Sequence, residues 1–66
     1  MRIRYDEQAD ALYVRLAEVP IVESEEVRPG VILDLDAANE VVGIEILGIS
    51  RRVPSDELKR VRVEGL

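Results

Sequence analysis

Apolar and polar residues alternate along most of the first 50 positions, the pattern of strands that bury one face. The clearest stretch runs from residue 31 to residue 48, VILDLDAANEVVGIEILG. The alternation stops at Asp36 and resumes at Val41, so the polar turn 37–40 joins the two arms of a hairpin. Successive side chains of a strand point to opposite sides. Each arm therefore has one face to bury, formed by Val31, Leu33 and Leu35 in the first arm and by Val42, Ile44 and Ile46 in the second.

Two shorter alternating stretches precede this hairpin. Arg2-Ile3-Arg4-Tyr5 predicts a first strand with Ile3 and Tyr5 on its buried side. Residues 11–16 predict a second strand, with Leu12, Val14 and Leu16 on one face and Ala11, Tyr13 and Arg15 on the other. The polar turn between them contains Asp6 and Asp10, and aspartate in turns accepts hydrogen bonds from nearby backbone N–H groups.

The pattern between the second strand and the hairpin is weaker. Residues 17–24 include Pro20, which lacks an N–H group, and we interpret them as a loop. Glu25-Glu26-Val27-Arg28 predicts a short edge strand that ends at the turn Pro29-Gly30.

After residue 48 the pattern changes from a strand to a short helix. Ser55 is a suitable N-cap, and acidic residues at the start followed by basic residues at the end suit the helix dipole. The segment from Ser55 to about Val61 is predicted as a helix that covers one face of the sheet with Leu58 and Val61. The alternation of Val61-Arg62-Val63-Glu64 leaves a last strand open as the alternative.

These elements predict a single mainly β domain (α+β) over residues 1–66. It is a small antiparallel β-meander of four to five strands with a short C-terminal helix. A chain of 66 residues hides only about 60% of the surface that its unfolded form exposes. With no cysteine and no histidine, disulfides and the common zinc sites are excluded as staples. The staples that remain are oligomerisation and an oxygen-ligated metal. We favour a homo-oligomer, most simply a homodimer, formed through strand edges or through the apolar sheet face.

The charge of the chain argues against direct binding of nucleic acid. The net charge is −5, and residues 5–47 alone carry a balance of −9. An acidic surface repels a phosphate backbone. The tail is mildly basic, through Arg51, Arg52, Lys59, Arg60 and Arg62.

The residue types present exclude several kinds of catalytic site. Without His or Cys, the chain cannot build a Ser-His-Asp or Cys-His site around Ser24, Ser50 or Ser55. The glycines at 30, 43, 48 and 65 are too dispersed for a phosphate-binding loop. We predict no catalytic residue and no cofactor, and we favour a non-enzymatic protein.

Carboxylates are the remaining candidates for chemistry. Asp34, Asp36 and Asp6 carry the oxygen ligands that Mg²⁺ or Ca²⁺ needs, and a metal site with an uncharacterised enzymatic role is the alternative that they leave open. Their spacing also suits a solvated strand residue and turn residues, which is the interpretation we favour. Glu45 lies in mid-strand, and we favour an exposed strand face on which it pairs with an arginine across the sheet. If buried, it would need Arg15, Arg28 or a tyrosine hydroxyl as a partner.

The other candidate residues are more simply explained by packing. Tyr5 and Tyr13 are expected to pack in the core or at its rim. Gly43, in mid-strand, indicates a bulge or a close approach, and we expect Tyr13 to pack over it.

The start of the chain has none of the features of a targeting segment. Met1-Arg2-Ile3-Arg4-Tyr5-Asp6 lacks the apolar run of a signal peptide, and no stretch approaches the roughly 20 apolar residues of a membrane-spanning helix. Together with the lack of cysteine, this predicts a cytoplasmic protein.

Three segments carry a resemblance to a known family. They are YDEQADALYV at 5–14, PGVILD at 29–34 and VGIEIL at 42–47. They resemble the small prokaryotic domain-of-unknown-function proteins with the signature YDxxADALY…GIEIL, over most of residues 1–50. The resemblance implies a compact β-rich domain without an established activity, cofactor or catalytic residue, and by analogy an antitoxin-like or other partner-binding role. The leading hypothesis is a binding or interaction domain.

Overall fold

The computed structural model describes residues 1–65 and is built on one five-stranded antiparallel sheet. The strands are β1 (Arg2–Asp6), β2 (Ala11–Arg15), β3 (Glu23–Arg28), β4 (Val31–Leu35) and β5 (Val41–Leu47). A short 3-10 turn follows at Ile49–Arg51. The predicted mainly β antiparallel sheet of four to five strands is confirmed. β3 begins two residues earlier than predicted, so Glu23 and Ser24 belong to it and not to the preceding loop.

The order of the strands across the sheet is β1-β2-β5-β4-β3. β3, β4 and β5 follow one another as neighbours, whereas β2 pairs with β5 and the chain then crosses to the far edge. This is a Greek-key arrangement rather than the simple meander that the sequence predicts. The crossing segment, residues 16–22, is tied to the strands that it passes. The Leu16 N–H donates to the Val42 carbonyl at 2.8 Å and the Val22 N–H donates to the Leu35 carbonyl at 2.9 Å.

One side of the sheet is apolar, and we call it the apolar face. Val14 lies opposite both Ile3 and Ile44, and Ile46 lies opposite both Leu12 and Val31. Residues directly opposite in neighbouring strands share a face. The face assignments of these residues are therefore confirmed. At the end of β4, however, a register shift sets Leu35 opposite Val41 and not Val42, and Leu16 lies just beyond the end of β2. The apolar face consists of Ile3, Tyr5, Leu12, Val14, Val31, Leu33, Ile44 and Ile46.

The core of the subunit is small. The buried hydrophobic residues are Ala11, Leu35, Val42 and Ile49, and no described side chain is less than 2% exposed. On the apolar face, seven of the eight side chains are only half-buried, and Ile3 is 43% exposed. The sheet lacks a complete second layer within the described part of the chain.

The predicted helix from Ser55 to Val61 is wrong. The segment forms isolated turns instead, in which the Pro54 carbonyl accepts from the N–H groups of Glu57 and Leu58, and the Glu57 carbonyl accepts from Arg60. Seven residues give too few helical hydrogen bonds to offset the cost of nucleation. The alternative strand at 61–64 is not formed either.

The C-terminal segment nevertheless lies over part of the apolar face. A surface cavity of about 320 Å³ separates the β1–β2 half of that face from this segment. Its apolar walls are Ile3, Leu12 and Val14 of the sheet and Val53, Leu58 and Val61 of the segment. The β4–β5 half of the apolar face does not line this cavity.

The first hairpin turn is joined to the end of the sheet through Asp10. Its carboxylate accepts hydrogen bonds from the Ser50 N–H at 3.1 Å and from the Ser50 hydroxyl at 2.7 Å, and its carbonyl accepts from the Ile49 N–H. Asp10 was predicted to bind backbone N–H groups, and here it binds one forty residues away. Among residues 1–65, no helix has the length and apolar character required to cross a membrane.

Candidate functional site

The side of the sheet opposite the apolar face carries most of the polar strand residues, and we call it the polar face. Arg4 lies opposite Tyr13, Tyr13 opposite Glu45, and Asp34 opposite both Gly43 and Ser24. The alternation of the sequence places these side chains on one surface, because the intervening residues turn to the apolar face.

A hydrogen-bonded chain crosses the centre of the polar face. The Tyr13 hydroxyl donates to Asp34 Oδ2 at 2.7 Å, and the Ser24 hydroxyl donates to Asp34 Oδ1 at 2.7 Å. The Tyr13 ring reaches Asp34 by passing over Gly43, where a Cβ atom would lie against the Tyr13 hydroxyl and 2.9 Å from Asp34 Oδ2. The predicted packing of Tyr13 over Gly43 is confirmed. Asp34, expected to be solvated, is instead half-buried and bound by two hydroxyl groups.

The environment of Tyr13 keeps its hydroxyl protonated. Burial raises the pKa of Tyr13, and the hydrogen bond to Asp34 raises it further, while Arg15 acts in the opposite direction. Tyr13 is therefore a hydrogen-bond donor to Asp34 at neutral pH and is unsuited to act as a general base.

Arg15 connects this chain of hydrogen bonds to the crossing segment. Its guanidinium donates to the Ala17 carbonyl at 2.7 Å and to the Val19 carbonyl, and more weakly to the Tyr13 hydroxyl at 3.5 Å. Its side chain is only 16% exposed. These contacts fix the guanidinium beside Tyr13.

Three arginines and Tyr13 line a shallow depression of about 310 Å³ on the polar face. We call it the arginine depression, formed by Arg2, Arg4, Tyr13 and Arg15. Glu18 forms ion pairs with Arg2 at 2.7 Å and with Arg15 at 3.7 Å. No ion pair engages Arg4 within residues 1–65. Our sequence reasoning missed Arg2 and Arg4, although their spacing of two in a strand already placed both on one face.

The carboxylates considered as metal ligands do not come together. Asp6 accepts from the N–H groups of Gln8 and Ala9 in the first turn. Asp36 accepts from those of Ala38 and Glu40 in the β4–β5 turn. The turn roles of both residues are confirmed. Within residues 1–65 there is no group of three or more His, Cys, Asp or Glu placed to hold a metal ion.

The partners suggested for Glu45 are engaged elsewhere. Glu45 is half-buried between Tyr13 and Ile32. The Tyr13 hydroxyl donates to Asp34, and the Arg15 guanidinium donates to loop carbonyls. Arg28 donates to the Val27 carbonyl. The exposed part of Glu45 is therefore left to water.

The comparisons with known proteins identify a family and nothing more specific. A family model described as "Protein of unknown function (DUF2283)" matches residues 2–50, a range that includes all five strands. Neither the search of curated proteins nor the search of solved structures found a match.

Proposed function

We propose that this chain is a non-enzymatic interaction domain that assembles as a homodimer through its apolar face. The chain belongs to the DUF2283 family, whose function is unknown. The observation that carries this proposal is the large exposed surface, 5249 Å² for a chain of 7.4 kDa. Compact monomers of this mass expose about 4,200 Å². The excess, roughly 1,000 Å², is close to the area of about 800 Å² that one partner buries in a standard interface.

The shape of the subunit supports the same proposal. Its radius of gyration is 12.7 Å, whereas a compact domain of this length has about 10.8 Å. The principal extents are 36 × 32 × 19 Å, which describe a slab. Domains are built from at least two packed layers, and a second copy would supply the missing layer.

The β4–β5 half of the apolar face is the part available to that copy. Val31, Leu33, Ile44 and Ile46 are half-buried there, and the C-terminal segment approaches the other half. Two such faces would pack about 10 Å apart, as in β-sandwiches. A second copy is present whenever the chain is made, so it is the simplest occupant.

Charges at the two edges of the sheet favour the face over the edges as the interface. Both edge strands are exposed: β1 presents Arg2 and Arg4, and β3 presents Glu23, Glu25 and Glu26. Antiparallel pairing of an edge with its own copy would set like charges near one another, which is destabilising. Glu25 and Glu23 lie opposite Leu33 and Leu35 and border the apolar face at its β3 side, but the central residues of that face carry no charge.

The first test is the mass and melting temperature of the protein over a dilution series from micromolar to nanomolar. We expect a light-scattering mass of twice 7.4 kDa at micromolar concentration. The melting temperature should fall on dilution, because dissociation is coupled to unfolding. A folded monomer whose melting temperature does not change with concentration would refute the homodimer.

A pair of variants locates the interface. Leu33→Asn places an amide on the β4–β5 half of the apolar face and should shift the protein towards monomer. Val63→Asn, at a residue that is 90% exposed in the C-terminal segment, should leave the mass unchanged. Circular dichroism establishes that both variants fold. If Leu33→Asn does not fold, the dilution series of the unaltered protein still decides the question.

Two alternatives remain predictions with tests of their own. A partner of different sequence, as in an antitoxin-like role, would occupy the same apolar face, and a heterodimer that forms at the expense of the homodimer would favour it.

Divalent metal binding by Asp34, Asp36 or Asp6 would appear as heat in calorimetric titration with Mg²⁺, Ca²⁺ or Mn²⁺, and no heat at millimolar metal would exclude it. The cytoplasmic location also stays a prediction.

A further inference from the structure

The arginine depression lies on the polar face, opposite the proposed dimer interface, and its function does not follow from dimerisation. We propose that it is a binding site for a phosphate dianion, free or carried as a phosphate monoester. The site is formed by the guanidinium groups of Arg2, Arg4 and Arg15 beside the Tyr13 ring.

The local charge matches a dianion. Three arginines line the depression, and Glu18 is the acid paired with two of them. These four side chains leave a surplus of two positive charges. A phosphate monoester carries about −1.5 to −2 at neutral pH, so it would balance this surplus, whereas a single carboxylate would leave half of it uncompensated.

The nearby acids of the polar face do not occupy the site. Both oxygens of Asp34 accept hydrogen bonds, from Tyr13 and from Ser24, and Asp34 is not among the residues that line the depression. Glu45 lies opposite Tyr13 but is not among the residues that line the depression.

One of the three arginines is already held in place. Carbonyl oxygens of Ala17 and Val19 hold the Arg15 side chain, which is largely buried, whereas Arg2 forms a solvent-exposed ion pair with Glu18. Ordering flexible side chains is a major cost of binding. Arg15 is already ordered by its contacts within the fold, so its ordering adds little to that cost. Arg4 contributes a guanidinium free of ion pairs within residues 1–65, and guanidinium groups bind phosphate oxygens in a bidentate manner.

The depression also has room for more than a bare phosphate. Its volume of about 310 Å³ exceeds that of the inorganic ion and leaves space for an attached organic group. Its position next to the β1 edge keeps it open to solvent, so a phosphorylated molecule can enter without a movement of the backbone.

Titration with inorganic phosphate, followed by NMR of the arginine Nε–H groups, is the test. Chloride holds the ionic strength constant, because screening alone shifts exposed charges. We expect saturable shifts of Arg2, Arg4 and Arg15 with phosphate and much weaker shifts with acetate. A parallel titration with O-phosphoserine separates the two sources: tighter binding than inorganic phosphate identifies a monoester, and equal or weaker binding identifies free phosphate.

Two matched variants make the test specific. Arg4→Gln removes a guanidinium from the depression, and Arg28→Gln removes one from the opposite edge strand. The loss of a charge-assisted hydrogen bond should weaken phosphate binding about tenfold in Arg4→Gln and leave it unchanged in Arg28→Gln. Non-saturable shifts, equal shifts with acetate, or equal weakening in both variants would overturn the proposal. Circular dichroism monitors folding. If Arg4→Gln does not fold, the titration of the unaltered protein decides the question.

Discussion

Gly43 determines how the polar face is built, because it has no side chain at the point where Tyr13 crosses to Asp34. The glycine is buried, and the phenol ring occupies the space that a Cβ atom would need. Glycine within a strand usually weakens the strand. At this position the loss is offset by a hydrogen-bonded chain that joins β2, β4 and β3 across the sheet.

Replacing Gly43 with alanine tests this role. The new methyl group would lie 2.9 Å from Asp34 Oδ2 and closer still to the Tyr13 hydroxyl, so Tyr13 would have to move. We expect a loss of about 1–3 kcal/mol in the free energy of unfolding, the usual cost of overpacking. Urea denaturation measures it. Gly65→Ala, at a site with no atom within 4 Å, is the control and should leave the midpoint unchanged.

The raised pKa of Tyr13 predicts a loss of stability at alkaline pH. The pKa in the folded protein lies above the ordinary value of about 10. The stabilisation is therefore fully present below about pH 10 and is lost as the pH rises through the folded pKa. Tyr13→Phe should be less stable than the unaltered protein by about 1 kcal/mol at neutral pH. This difference should shrink above about pH 10. Tyr5→Phe keeps Tyr13 and should therefore lose stability at alkaline pH as the unaltered protein does. The assignment would be contradicted if the difference in stability between the unaltered protein and Tyr13→Phe stayed the same at alkaline pH.

At the scale of secondary structure, alternation identified β2, β4 and β5 because one side of each of these strands is turned towards apolar neighbours, whereas β3 is exposed along its whole length and lacks this signal. Leu12 and Val14 meet Ile46 and Ile44 across β2 and β5, as their period of two requires. A glycine in mid-strand was likewise enough to indicate the close approach of Tyr13.

Other features depend on contacts that local patterns do not encode. The pairing of β2 with β5 follows from the path of residues 16–22, whose polar and apolar residues do not specify a crossing. The hydrogen bonds of Asp34 to Tyr13 and Ser24 need four strands in register, β2, β5, β4 and β3. The C-terminal segment has the composition of a helix start. Placing Leu58 beside the sheet, however, stabilises the segment more than the few hydrogen bonds of a seven-residue helix would.

The position of Leu58 beside the sheet gives a prediction for this segment. Leu58 is half-buried and lines the cavity between the segment and the β1–β2 half of the apolar face. Leu58→Ala should lower the free energy of unfolding by roughly 1–2 kcal/mol, about half of the cost at a fully buried site. Val63→Ala, at a residue 90% exposed, should have no effect on the same thermal melt. Equal melting temperatures for both variants would show that the segment contributes nothing to stability.

At the scale of the whole molecule, the slab has two exposed edges and an apolar face that the C-terminal segment covers in part and whose central residues carry no charge. Exposed strand edges are templates for aggregation, and natural proteins protect them with charged side chains. The arginines of β1 and the glutamates of β3 fit this role.

The role of the acidic edge can be tested by aggregation. The double variant Glu25→Thr/Glu26→Thr keeps a residue type that favours strands and removes the repulsion between copies. We expect faster formation of thioflavin-positive aggregates than in the unaltered protein. Glu7→Thr/Glu40→Thr makes the same change of charge in two turns and serves as the control. Similar rates in both double variants would assign the effect to net charge instead of the edge.

The Greek-key order also affects how the polypeptide acquires its structure during synthesis. Ala11 pairs with Leu47, 36 positions further along the chain. A lone two-stranded hairpin is at best marginally stable, so β1 and β2 gain little before β5 has left the ribosome. Three strand pairings join neighbours in sequence, whereas the β2–β5 pairing closes a long loop. Closing a long loop costs entropy and slows folding, so β1 and β2 should be the last strands to join the sheet.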